Sequence, residues 1–286
     1  MRRFFALLLT AVLALSLLAG CTKSQEDAQQ QTGTSSDVSM AVVVAGTFGD
    51  RSFYDSSKEG ADRLAKDLGV QVKTIECNNV DHTQQIRNAD AAEIVVLVGW
   101  EFYDVETVAP EYPDVHFIWV DNATSAPVAN VLNITYAQNE GSFLAGYIAA
   151  KMSQTGVVGA VGGEDTDTIN DFIVGYTQGA QYANSSIQVE TVYANTYDDP
   201  AVGKECALTL HEKKADVVFQ IASKTGDGVF QAAQEKGFYA IGVDSDQKYI
   251  ADDVIICSMM KQVGNSIYEA VSDYISGDTS KWGTTW

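Results

Sequence analysis

The sequence predicts an α/β protein of two doubly wound parallel-sheet lobes joined by a hinge, with a cleft between the lobes. Three observations carry this prediction. From Val38 onward, apolar strand-like runs alternate with amphipathic helix-like stretches, the pattern of βαβ units. Runs such as Ile94-Val95-Val96-Leu97-Val98 and Val217-Val218-Phe219 are continuous and rich in β-branched residues, as expected of strands covered on both faces. The alternation breaks once, at 122–137, where Pro127 stands among few helix formers, so two series result.

In chain order, Met1–Arg3 is a basic start, Phe4–Leu18 is an apolar run with one Thr and one Ser, and Leu18-Ala19-Gly20-Cys21 follows. Such a run rises only about 22 Å as helix, short of the roughly 30 Å of a bilayer core. Residues 1–20 therefore read as an export signal. The small residues before Cys21 resemble a bacterial lipoprotein signal, whose cleavage leaves Cys21 as the acylated N-terminus. Residues 22–37 hold no large apolar side chain, so 21–37 is expected to be a flexible tether with an r.m.s. span of about 20–25 Å.

The N-terminal lobe is predicted over 38–121. Its strands are Ser39–Ala45, Val70–Glu76, Glu93–Trp100 and His116–Asp121, and its helices lie near Asp55–Leu68, His82–Ala92 and Val105–Tyr112. Residues 122–137 form the interlobe segment. The C-terminal lobe, 138–261, holds strands Gly156–Val161, Ile187–Ala194, Asp216–Ala222, Tyr239–Asp244 and Val254–Met259. Its helices lie near Ser142–Met152, Ile169–Ala183, Val202–Glu212 and Gly228–Lys236. In the first of these, Phe143, Leu144, Tyr147, Ile148 and Met152 make one apolar stripe, the expected core face, with Gly141 on the same side and Gly146 opposite. Residues 262–286 are expected to return to the first lobe, because Val263, Ile267, Ala270, Val271 and Tyr274 form a stripe that needs a sheet to cover.

Eighteen basic against 38 acidic side chains give a net charge of −20. That balance argues against nucleic acid as a partner and against adhesion of the folded body to an anionic membrane. Loss of Arg2 and Arg3 with the signal would take the charge to −22. No phosphate-binding G-x-x-x-x-G-K-[ST], zinc-binding H-E-x-x-H or nucleophilic G-x-S-x-G motif occurs. The glycines of 156–163 lack dinucleotide-binding spacing and read as tight strand-to-helix packing. His82, His116 and His211 lie in different segments, and Cys77, Cys206 and Cys257 lack metal-ligand spacing and read as buried small hydrophobes. No catalytic group, metal site or cofactor is expected.

A set of polar and aromatic residues does stand at predicted strand ends, where open parallel sheets bind ligands. Asp50, Phe53 and Tyr54 follow the first strand, Trp100 ends the third and Asp121 the fourth. In the second lobe Tyr197, Gly226 and Asp244 follow strands, with Lys261 just beyond the last. Asp50 reads equally as a helix cap.

The motifs FGDRSFYDSSKEG, EYPDVHFIWVD, NEGSFLAGYIAA, TYDDPAVGK, KTGDGVFQAA, IGVDSDQ and SMMKQV, in that order over 38–286, resemble the basic membrane lipoprotein (BMP) family. The resemblance implies a type I periplasmic-binding-protein fold and a substrate-binding lipoprotein of an ABC transporter, whose characterised relatives bind purine nucleosides. It further implies that Phe53 and Tyr197 stack on opposite faces of the base and that Asp121 and Asp244 accept hydrogen bonds from ribose. Lys261 and the backbone near Gly226 would complete the cleft. Two stacks and two charged acceptors amount to about 5–12 kcal/mol before the cost of association, enough for micromolar or tighter binding.

The chain departs from the family pattern in three places. Val44-Ala45-Gly46-Thr47 stands where purine-binding relatives carry an acidic residue that reads the base edge, and Tyr54 stands where they carry Asn. Base-edge readout is altered accordingly, which keeps another nucleoside or a small polar molecule such as a sugar open as ligand. Lys281–Trp286 ends where relatives continue into further strand, so a fragment is also open. The expected partners are a nucleoside or related small polar ligand, an ABC permease with its ATPase, and the extracytoplasmic face of the cell membrane through Cys21 alone; a monomer is expected. The rival readings are a ligand sensor without a transport role and a nucleoside-cleaving enzyme.

Overall fold

The computed structural model describes residues 36–78, 80–89 and 91–286. The expected signal at 1–20, the lipidation site Cys21, and the tether at 21–37 except Ser36 and Asp37 lie outside the described residues. Two five-stranded parallel sheets organise the rest. The first comprises β1 (Ser39–Val44), β2 (Gln71–Glu76), β3 (Ile94–Val98), β4 (His116–Val120) and β5 (Val131–Ile134), in the order β2-β1-β3-β4-β5. The second comprises β6 (Val157–Gly162), β7 (Gln188–Tyr193), β8 (Val217–Ile221), β9 (Tyr239–Val243) and β10 (Ile255–Met259), in the order β10-β9-β8-β6-β7. Helices α1 (Phe53–Leu68), α2 (His82–Asn88) and α3 (Val105–Val108) connect the first sheet. Helices α4 (Gln138–Met152), α5 (Asp167–Ala183), α6 (Pro200–Glu212) and α7 (Gly226–Lys236) serve the second, and α8 (Val263–Ile275) follows β10.

Each sheet reverses its winding at one point, between β1 and β3 in the first and between β6 and β8 in the second. At such a point neighbouring connections leave to opposite faces and open a crevice beyond the strand ends. Strands β3 and β8 are fully buried, so their continuous apolar runs face helices on both sides, whereas the edge strands β2 and β7 carry the polar residues.

Two expectations about this fold change. The segment 122–137 contains β5, whose Phe117↔Val131 to Val120↔Ile134 register on β4 makes it a fifth strand of the first sheet. Its four buried residues are too few to show a periodicity behind Pro127. The chain end lies beside it, with Asn133 N donating to Thr284 O at 3.0 Å and Trp286 N to Asn133 O at 2.8 Å.

The second change concerns α4. Leu144 is 64% exposed and Tyr147, Ile148 and Met152 are exposed too, while Ser142, Ala145, Gly146 and Ala149 face inward. Small residues win this face because α4 packs backbone to backbone on α5. A Cβ on Gly146 would stand 1.9 Å from Tyr176 O, and one on Gly179 would stand 1.8 Å from Phe143 O. Gly179→Ala is therefore expected to destabilise the protein by about 1–3 kcal/mol in urea unfolding, although alanine is the better helix former. Equal or greater stability would contradict the close approach.

After β10 the chain packs on the first sheet. Val263, Ile267, Ala270 and Val271 of α8 are buried with Val42, Val96 and Ile118 of the first sheet. Gly60 of α1 and Gly264 of α8 meet so closely that a Cβ on Gly60 would lie 2.3 Å from Gly264 O.

Candidate functional site

The loop after β1 crosses to the other lobe. Asp50 accepts from the backbone N–H groups of Ser52, Tyr54 and Asp55 at 3.1, 2.9 and 3.0 Å, which starts α1, and from Ser223 Oγ of the second lobe at 2.8 Å. Burial pushes its carboxyl above the usual range. Arg51 pairs with Asp227, Ser52 Oγ donates to Asp244 Oδ2 at 2.5 Å, and Gln247 Nε2 donates to Arg51 O at 3.1 Å. These contacts hold the lobes together on one side of an interlobe cavity with about 690 Å³ of empty space, its open mouth included.

Seven of the nine expected ligand-binding residues line this cavity: Phe53, Tyr54, Trp100, Asp121, Tyr197, Asp244 and Lys261. Asp50 and Gly226 do not. Asp50 lines an adjoining chamber with Asn78, Glu164 and Lys224. Gly226 opens α7 against Gln220, where a Cβ would fall 1.9 Å from Oε1. Its lack of a side chain answers to that buried amide, which also receives Ala222 N at 3.1 Å.

Asp121 and Asp244 end β4 and β9 with φ of 69° and 64°. This left-handed region is uncommon for residues other than glycine, although Asp and Asn are enriched there, and non-glycine residues held in it collect at ligand sites. Lys261 Nζ donates to both Asp121 oxygens at 2.7 Å and lies 4.8–5.6 Å from the centres of the Phe53, Tyr136 and Phe172 rings. The lysine is 3% exposed. Asp244 is pushed up to about 6, first by burial and further by Asp50 and Asp121, with Lys261 and Ser52 opposing.

Aromatic side chains make the walls. Tyr197 lies against Gly163, where a Cβ would come within 1.9 Å of its ring, so the glycine run after β6 seats a cavity aromatic as well as packing Gly159 on Leu210. Phe53 and Tyr54 are neighbours at 5.6 Å with planes tilted 51°. The Tyr54 ring covers Gly46, at the end of β1. Burial holds both the Tyr54 and Tyr197 phenols protonated. Trp100, 45% exposed, stands at the rim.

Sequence reasoning did not single out Glu101, Thr166, Thr168, Ile169, Phe172 or Ser223, all of which line the cavity. Thr166, Thr168 and Ile169 lie where β6 passes into α5, and Phe172 lies one turn on; the switch-point rule finds them once strand order is known. Glu101 and Ser223 each sit two or three residues past a central strand, the position that had marked Trp100.

Among the described residues no group of three metal-ligating side chains forms. His82, His116 and His211 pack separately on Phe102, Tyr274 and Phe238. Cys77 and Cys206 are buried free thiols in different clusters, and Cys257 is a third free thiol, half-buried.

Residues 37–286 match the Bmp family, described as ABC transporter substrate-binding protein PnrA-like. Basic membrane protein A of Borreliella burgdorferi is 32% identical over 251 residues, covering 85% of this chain and 74% of that protein. Basic membrane protein D of the same species is 30% identical over 283 residues, covering 96% and 80%. The crystal structure of an ABC transporter system solute-binding protein from Aeropyrum pernix K1 superposes with a TM-score of 0.79 at 30% identity, covering 84% of this chain and 71% of that one. A solute-binding protein from Conexibacter woesei shares the fold with a TM-score of 0.66 at 24% identity, covering 87% and 84%.

Proposed function

This chain belongs to the Bmp family of PnrA-like ABC transporter substrate-binding proteins, and from that premise we propose that it binds a nucleoside between its lobes and delivers it to a membrane permease. The family is one of substrate-binding proteins rather than enzymes, and its partners are a small-molecule ligand and a permease with its ATPase. The observation that carries the nucleoside reading is the pairing of aromatic walls, Phe53 and Tyr197, with two strand-end carboxylates, Asp121 and Asp244, in one cavity. Flat aromatic faces suit a base, and each such stack contributes about 1–3 kcal/mol. Carboxylates at fixed positions suit ribose hydroxyls, which are donors.

Hinge closure follows from the same layout. A ligand touching Asp121 on one lobe and Asp244 on the other favours the closed pairing of lobes, and a permease can then tell loaded from empty protein. A lipid anchor at Cys21, on the extracytoplasmic face of the membrane, belongs to the same proposal and rests on Leu18-Ala19-Gly20-Cys21.

Calorimetry of protein freed of ligand by unfolding and refolding tests the reading. Micromolar or tighter binding of at least one nucleoside is expected, and absence of heat with every purine and pyrimidine nucleoside overturns it. A 5′-monophosphate of the preferred nucleoside is expected to bind at least about tenfold more weakly, since Asp244 and the acidic body oppose its charge. Equal affinity for nucleoside and monophosphate would contradict the roles given to the two carboxylates.

A further inference from the structure

We infer that the outer face of α4, with the end of α5, is where two copies of this chain pair, α4 packing antiparallel on α4 about a two-fold axis. Such a dimer replaces the expected monomer and is independent of which ligand the cavity takes.

The helix turns its bulk outward because small residues occupy its inner face. Ser142, Ala145, Gly146 and Ala149 face inward, and Leu144, Tyr147, Ile148 and Met152 are left outside. Tyr182 of α5 is 77% exposed beside them. Its ring lies 5.6 Å from that of Phe143 and 6.4 Å from that of Tyr147, so the two helices supply one patch. Single apolar side chains on a surface are ordinary, whereas this cluster exposes on the order of 500 Å², toward the upper end of the largest patch on a typical monomer. Only flanking polar residues are then needed to approach the roughly 800 Å² that each partner of a standard interface buries.

Charge identifies the occupant. In a chain of net charge −20, residues 141–150 carry no charged side chain, and Glu140 and Lys151 bracket them, both exposed. The two stand eleven residues apart, close to three helical turns, and so share the stripe of Leu144 and Tyr147. Among the described residues neither belongs to an ion pair. Lys151 Nζ donates to Ala183 O at 3.3 Å and lies 5.4 Å from the centre of the Tyr147 ring.

A two-fold axis passing between Ala145 and Gly146 sets Glu140 opposite Lys151 of the partner subunit and Leu144 opposite Tyr147 of the partner subunit. Symmetry makes each contact twice. Parallel pairing would instead set Glu140 on its own copy, so the end charges select the direction as well as the partner. An anionic lipid surface is a poor alternative for this acidic body. Both helices are buried against the second sheet, so the dimer grips one lobe and leaves the hinge free.

Sedimentation velocity of the mature chain, with its cysteines kept reduced, tests this from about 1 to 200 μM, where a dimer with a dissociation constant of about 1–100 μM is expected. Leu144→Glu should weaken the dimer at least about thirtyfold while moving the melting temperature by no more than about 2 °C, as befits an exposed position. Glu140→Lys and Lys151→Glu should each weaken it at least about tenfold, since each sets like charges face to face twice. The double reversal should return to within about threefold of the wild type, because the pairs are remade with their signs exchanged. A wild type that stays monomeric throughout, or a dimer that survives Leu144→Glu, overturns the inference. A double reversal as weak as the single ones overturns the antiparallel pairing. A monomer that floats with phosphatidylcholine vesicles, and loses them on Leu144→Glu, would give the face to lipid and overturns it too.

Discussion

Lys261→Met is expected to lower stability by about 3 kcal/mol, a fall in melting temperature of roughly 6–12 °C for a domain of this size. The lysine is 3% exposed, and its ammonium meets both oxygens of Asp121 at 2.7 Å. Removing one member of a buried pair leaves the other charge uncompensated, which costs about 3–5 kcal/mol when the survivor is dry. The Asp121 side chain retains 16% of its accessibility, so cavity water can solvate it in part, and the lower end of that range applies. Adding Asp121→Asn should restore most of the loss. Asparagine tolerates the positive φ at that position and brings no charge, and a neutral replacement of both members of a buried pair is close to indifferent. Urea unfolding of wild type, both single variants and the double variant closes the cycle. A single-variant loss below about 1 kcal/mol would mean that the pair is solvated and stabilises little.

The parts of this molecule that were legible in the sequence are those set by strand period and by strand ends. Continuous apolar runs gave the buried strands of both sheets, and residues just past those runs gave seven cavity-lining side chains. Where reading failed, tertiary geometry overrode local pattern. The stripe of Leu144, Tyr147, Ile148 and Met152 looked like a core face because bulk usually goes inward. Three glycines, Gly146, Gly175 and Gly179, bring α4 and α5 so close that only a small-residue face fits between them. Gly146 was the position without an explanation on the sequence, and it marks that contact. Asp50 and Gly226 satisfied the strand-end rule, yet a backbone cap and a buried amide account for them. Glu101 went unnoticed beside Trp100. Its place in the cavity wall depends on a fact that no local pattern holds, the inward fold of its carboxylate over Gly99.

Asp244→Asn is expected to stabilise the empty protein at neutral pH while weakening ligand binding about ten- to a hundredfold. Both signs follow from one cause. Burial raises the carboxyl from 3.8 to about 6, so the folded protein keeps this proton after the unfolded chain has lost it. Stability contributed by the group is therefore present in full below about pH 4 and declines until about pH 6, by roughly 3 kcal/mol at 1.4 kcal/mol per pH unit. Asparagine removes that slope, tolerates a φ of 64° and can still accept from Ser52 Oγ, so the gain at pH 7.5 should appear in urea unfolding and vanish at pH 4. The same substitution replaces a charged acceptor with a neutral one, and a hydrogen bond to a charged group is worth about 1.5–3 kcal/mol, which gives the affinity loss. In the wild type, donation from the ligand favours the ionised carboxylate, so binding should tighten as pH rises through 6; in Asp244→Asn that component should disappear. A weaker binder without added stability would mean that Asp244 is well solvated in the empty cavity. A more stable variant with unchanged affinity would place the ligand away from β9 and remove Asp244 from the site.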